Sequence, residues 1–146
     1  MNTIWVWLEE RRDLAPVFIR LFAGTFLVYM SQDNVLSCAR MQEFAGFLGG
    51  HGFPFPLASA VLSVAAQFLS GLLFLAGAFV RGAALVMIVN FLVAIGMVHL
   101  ALPFREALDP AAMLASALCL LFSGAGRLSV DGWRRNHRAA RPDHAP

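Results

Sequence analysis

Residues 55–102 hold two long apolar runs separated by one Arg81-Gly82 pair. The first reads FPLASAVLSVAAQFLSGLLFLAGAFV and the second AALVMIVNFLVAIGMVHLAL. An α-helix rises ~1.5 Å per residue and the hydrocarbon core of a bilayer is ~30 Å thick, so ~20 apolar residues cross it. Each run is long enough. Together they predict an antiparallel transmembrane hairpin turning at Arg81-Gly82, and hence an integral membrane protein.

Composition agrees. Apolar residues make up 59% of the chain and charged residues 14%. Soluble domains run at about 45–50% and about 25%, so much of this surface is built to face lipid. The length of 146 residues suits one domain. All the basic residues are arginine, and a net charge of +2, dispersed along the chain, argues against a nucleic-acid partner. Cys38 and Cys119 form neither a CxxC pair nor a metal-ligand spacing.

Taken in order, the sequence predicts an all-α four-transmembrane-helix bundle with a short interfacial helix between the first and second spans. Residues 1–13 form an interfacial segment with Trp5 and Trp7, since tryptophan favours the headgroup level. The membrane domain covers 14–130, with spans at about 14–36, 57–80, 82–102 and 110–128. Between the first two spans, Met41, Phe44, Phe47 and Leu48 recur at helical spacing, on a segment too short to cross. Within the second span, Ser59, Ser63, Gln67, Ser70 and Gly77 form a small, polar stripe of the kind that lets helices approach closely, whereas Leu75 reads as outward-facing. Phe104–Asp109 reads as a charged turn, with Pro110 opening the fourth span because proline suits a first helical turn. Residues 131–146 form a basic tail. Nine of the arginines fall on one side of this layout and only Arg40 and Arg105 on the other, which places both termini in the cytoplasm of a bacterial inner membrane.

Polar groups in hydrocarbon are costly and each needs a reason. Gln67 and Asn90 lie at depths ~7 Å apart on adjacent antiparallel helices, counting from Arg81. They are candidates for a direct or water-mediated hydrogen bond, either as interhelical glue or as contacts for a quinone headgroup. Asp33, Asn34 and His99 form a candidate outer polar cluster. Arg20, Arg81 and Arg127 are candidate boundary anchors, since arginine snorkels to the membrane surface. Met30, Cys38 and His99 are weak candidates for copper, because soft sulfur and imidazole suit that ion. No catalytic constellation is present, so no catalytic residue is assigned. No tightly bound cofactor is expected: His99 is the sole histidine in a span and no phosphate-binding glycine loop occurs. A quinone needs only an apolar cleft and one or two hydrogen-bonding groups.

The chain resembles the DoxX family of small bacterial membrane proteins across roughly 16–130. The resemblance rests on Arg20-Leu21…Gly24, on Phe44-Ala45-Gly46-Phe47-Leu48 and on Gly52-Phe53-Pro54-Phe55-Pro56. It continues through Gln67…Gly71-Leu72-Leu73…Gly77…Arg81, Val98-His99-Leu100 and Gly124-Ala125-Gly126-Arg127-Leu128-Ser129-Val130-Asp131. Met30, Ser31 and Asn34 stand where the family often carries His-Gly…Lys, and Gln67 stands at the site of a frequent acidic residue. The resemblance implies four helices and, for some members, association with quinone-linked sulfur oxidation or oxidative-stress complexes.

These readings converge on a DoxX-like membrane accessory subunit of a redox system, not catalytic alone. It would support another membrane or periplasmic redox protein within the lipid bilayer. The alternative is a quinone-interacting oxidoreductase subunit, or a carrier of small molecules or metal using the outer polar cluster. Self-association through the Ser59–Gly77 face is a third reading.

Overall fold

Glycine decides how closely the first two long helices meet. The computed structural model describes residues 2–98, 100 and 103–139. Helix α1 (Asn2–Glu10) leads through a 3-10 turn (Arg12–Leu14) into α2 (Ala15–Leu36). After α3 (Cys38–Gly50) come α4 (Pro56–Ala76), α5 (Val80–Met97), α6 (Phe104–Ser123) and α7 (Val130–Ala139). No strand occurs among the described residues. Helix α2 packs most extensively on α4, and α5 on α6. At the α2–α4 crossing, a Cβ added to Gly24 would lie 2.9 Å from the Gly71 carbonyl oxygen, and one added to Gly71 would lie 3.0 Å from that of Gly24. The backbones touch, as small residues allow between membrane helices.

Four stretches are long and apolar enough to cross a membrane: Arg12–Leu36, Pro56–Ala76, Val80–Met97 and Arg105–Ser123. Their outer faces stay apolar; Phe18 and Leu62 are each 72% exposed and Phe122 is 78% exposed. An apolar surface wrapping every long helix suits lipid rather than water. The core is uneven along the bundle. Phe74, Leu27, Met87, Leu120 and Val80 fill the half nearest the α4–α5 turn, which we term the basic end. At the other end, α3 lies against α4 and α2, packing Ala45 and Leu48 onto Ala60 with Met41, Phe44 and Phe53 around them. Phe47, at the same helical spacing, is 48% exposed.

Two boundaries and the facing of one residue differ from the sequence expectation. The α4–α5 turn lies at Gly77–Phe79, and Arg81-Gly82 belong to the first turn of α5. Gly77 takes a left-handed φ of 67°, which ends α4 at little cost because it carries no Cβ. Helix α6 starts at Phe104, so the charged stretch Arg105–Asp109 is helical and Pro110 sits inside the helix. Proline there deprives the Glu106 carbonyl of its helical donor, one turn from the helix start. Leu75, expected to face outward, is partly buried, and its Cγ lies 2.9 Å from where a Gly24 Cβ would be. It therefore packs on α2.

Candidate functional site

The half of the bundle beneath α3 holds a cavity of about 810 Å³. Ligand pockets typically measure about 300–1,000 Å³. Phe26, Phe44, Phe53 and Val64 contribute to its walls, as do Phe91 and Met113, which are shared with the core. Leu62 of α4 and Val89 of α5 also line it, yet they are 72% and 63% exposed. The cavity therefore reaches the lipid-facing surface between α4 and α5. A molecule dissolved in the bilayer could enter sideways without crossing water.

One polar chain interrupts the apolar wall. Gln67 Nε2 donates to Ser63 Oγ at 3.0 Å, and Ser63 Oγ donates to Asn90 Oδ1 at 2.9 Å. All three side chains line the cavity. The expected Gln67–Asn90 pairing is thus made through the Ser63 hydroxyl rather than directly or through water. With the turn at Gly77–Phe79, the two amides lie within one residue of equal distance from it along their helices, which removes most of the depth offset counted from Arg81. Ser63 spends its one proton on Asn90. The Asn90 NH2 group and the Gln67 carbonyl oxygen then retain capacity to bond a ligand in the cavity.

The residues of the expected outer polar cluster are only partly described. Asn34 lines the cavity, Asp33 is exposed on α2, and His99 lies outside the described residues. Met30 lines the cavity, while Cys38 is exposed at the start of α3 with a free thiol. Among the described residues no three of His, Cys, Asp or Glu come together as metal ligands. The charged group that the structure does bring to the cavity wall is Asp109 on α6, next to Pro110. Sequence reading placed Asp109 in a turn and so missed it. Its signal was available: four residues on, Met113 continues the same helical face.

At the basic end the chain is latched. Arg20, expected to snorkel outward, is 4% exposed. Its Nη1 donates to the Ala125 carbonyl at 3.2 Å and its Nη2 to the Leu128 carbonyl at 2.6 Å. Arg20 Nε is buried without a hydrogen-bond partner among the described residues. Arginine's fork suits this task because it spans two acceptors at once. The same segment reaches the α4–α5 turn. Asp131 Oδ1 and Oδ2 accept the backbone N–H groups of Phe79 and Val80 at 2.9 and 3.0 Å, and its own N–H donates to Gly77 at 3.0 Å. This caps the start of α5 and holds Phe79, which is no glycine, at a φ of 52°. Gly77 is required twice over: its φ is positive, and any Cβ would collide with the Arg20 guanidinium. Of the other expected anchors, Arg127 is exposed, and exposed Arg81 makes one long contact, Nη2 to the Phe122 carbonyl at 3.4 Å.

Neither a curated protein nor a solved structure matches the chain. The family model described as DoxX matches residues 15–100, spanning α2 through α5 and with them both walls of the cavity mouth and the Gln67–Ser63–Asn90 chain. That match covers more than half of the 146 residues and agrees with four helices able to cross a membrane. This chain belongs to the DoxX family and is a multi-pass membrane protein.

Proposed function

We propose that the protein is an accessory subunit of a membrane-bound redox system and that its cavity receives the headgroup of a lipid-soluble molecule such as a quinone. The observation that carries this reading is the Gln67–Ser63–Asn90 chain set in the wall of a largely apolar cavity that opens toward lipid. A quinone needs apolar surroundings for its ring, a donor for its carbonyl, and an acceptor for its hydroxyl when reduced. The Asn90 amide supplies the donor and the Gln67 carbonyl the acceptor. Such a role requires no catalytic group from this chain and leaves electron transfer to a partner.

Photoaffinity labelling of the purified protein with an azidoquinone tests the reading. Labelling is expected on α4 and α5, competed by unlabelled quinone. Ser63→Phe places a ring in the cavity and is expected to reduce labelling by about tenfold, the equivalent of ~1.4 kcal/mol. Labelling that is absent, or unchanged by Ser63→Phe in a folded variant, would refute a quinone site here.

The same proposal sets the protein in a bacterial inner membrane with the basic end toward the cytoplasm. Arg20, Arg81, Arg127, Arg134 and Arg135 all belong to that end, as positive-inside orientation demands. Reporter fusions at Arg134 and Gly50 are expected to read cytoplasm and periplasm, respectively. The same compartment for both would rule out the arrangement.

A further inference from the structure

Helix α7, the α4–α5 turn and the Gly124–Ala125 segment border a second, open pocket of about 350 Å³, lined by Phe79, Arg81, Gly124, Asp131, Arg134 and Arg135 among others. Its charge is unbalanced. Three guanidinium groups face one carboxylate, and both oxygens of Asp131 already accept the backbone N–H groups of Phe79 and Val80. Among the described residues the one ion pair is Arg40–Glu43, at the opposite end of the bundle. Arg81, Arg134 and Arg135 thus converge with no carboxylate at ion-pair distance among those residues. Arg81 is held against Gly124, where a Cβ would lie 3.5 Å from its Nε.

We propose that this pocket binds the phosphate of an anionic phospholipid drawn from the bilayer leaflet at the basic end. Planar guanidinium forks match phosphate oxygens and shed water readily. Basic pockets beside membrane helices take acidic lipid headgroups for the same reason. The surroundings favour a lipid over free phosphate. Phe79 at the pocket is 67% exposed, Trp133 on α7 is 62% exposed, and Phe122 at the end of α6 is 78% exposed. Aromatic rings beside a cationic pocket at the ends of membrane helices offer apolar surface to glycerol and acyl chains just where a headgroup would lie. Helix α7 supplies both parts, arginines and tryptophan, as interfacial helices do.

Native mass spectrometry of the purified chain in mild detergent tests this, with dioleoylphosphatidylglycerol, dioleoylphosphatidylcholine and sodium phosphate as separate probes. Phosphatidylglycerol is expected to bind at least about fivefold more tightly than phosphatidylcholine, an advantage of about one arginine contact. R81Q is expected to weaken it by about fivefold, R134Q/R135Q by about twenty-fivefold, and R105Q at the opposite end not at all. Equal binding of the two lipids, or equal loss in R105Q and R134Q/R135Q, would overturn the proposal. Displacement of phosphatidylglycerol by an equal concentration of sodium phosphate would make this a free-phosphate site and overturn it likewise. Should R134Q/R135Q fail to fold, modification of the wild-type arginines by phenylglyoxal decides instead. Protection of Arg134 and Arg135 by phosphatidylglycerol and not by phosphatidylcholine supports the site; equal modification with either lipid refutes it.

Discussion

Replacing Arg20 with leucine should destabilise the folded bundle in mild detergent by about 3–5 kcal/mol, since hydrogen bonds from a charged donor contribute about 1.5–3 kcal/mol each. The expected loss follows from position rather than charge alone. Arg20 is buried, and its two Nη groups bind carbonyls 105 and 108 residues away in sequence. Leucine removes both donors, leaving the Ala125 and Leu128 carbonyls short of partners, and unties the segment that carries Asp131 to the α4–α5 turn. Lysine keeps a charge but not the fork, so Arg20→Lys is expected to recover part of the loss. Arg81→Leu, by contrast, removes one exposed 3.4 Å contact and is expected to leave the melting temperature nearly unchanged. Asp131→Ala should also destabilise, and the Arg20→Leu/Asp131→Ala double variant should lose less than the sum, because both side chains hold one segment. Thermal unfolding of the five variants checks this; equal shifts for Arg20→Leu and Arg81→Leu would show that Arg20 is only a surface anchor.

The second large effect belongs to the α2–α4 crossing. A Cβ at Gly71 meets Val28 Cγ2 at 2.9 Å, the Gly24 carbonyl at 3.0 Å and Leu27 Cβ at 3.1 Å. The carbonyl is backbone and cannot rotate away. Gly71→Ala must therefore part the helices slightly, and Gly71→Val must part them further, with overpacking costs of about 1–3 kcal/mol, the valine at the upper end. Gly96 is the control: nothing lies within 4 Å of its Cβ position, and it sits inside α5. Gly96→Ala is expected to be neutral or to stabilise by about 0.5–1 kcal/mol through helix propensity. Comparable melting temperatures for Gly71→Val and Gly96→Ala would mean that the two helices do not touch at Gly71.

The spans were readable because lipid demands long apolar helices and tolerates little else. Their ends were harder. The apolar runs continue unchanged through Gly77-Ala78-Phe79, so charge at Arg81 drew the turn four residues away from the glycine that makes it. At Pro110 a general preference for first turns competed with the helical spacing of Asp109 and Met113. The amides of the candidate site were found because amides are rare in such runs and helical rise fixes their depth. Ser63 went unrecognised as their link because serine in a membrane helix more often serves close packing. Arg20 and Asp131 were beyond reach for another reason: their partners are backbone groups 51 to 108 residues away, and backbone groups carry no sequence signature.

Asp131 is also among the last described residues that a ribosome supplies. All four membrane helices precede it, so the α4–α5 turn enters the bilayer with the N–H groups of Phe79 and Val80 not yet capped by a carboxylate. Chains emerge from their N-terminus at about 5–20 residues per second, which sets a delay of a few seconds between turn and cap. During that interval Phe79 has nothing to hold it in its left-handed conformation, and the hairpin remains adjustable. Arrival of the segment that carries Asp131 ends the adjustment. A chain cut short after Ser123 would carry all four spans and still lack the carboxylate that caps this turn.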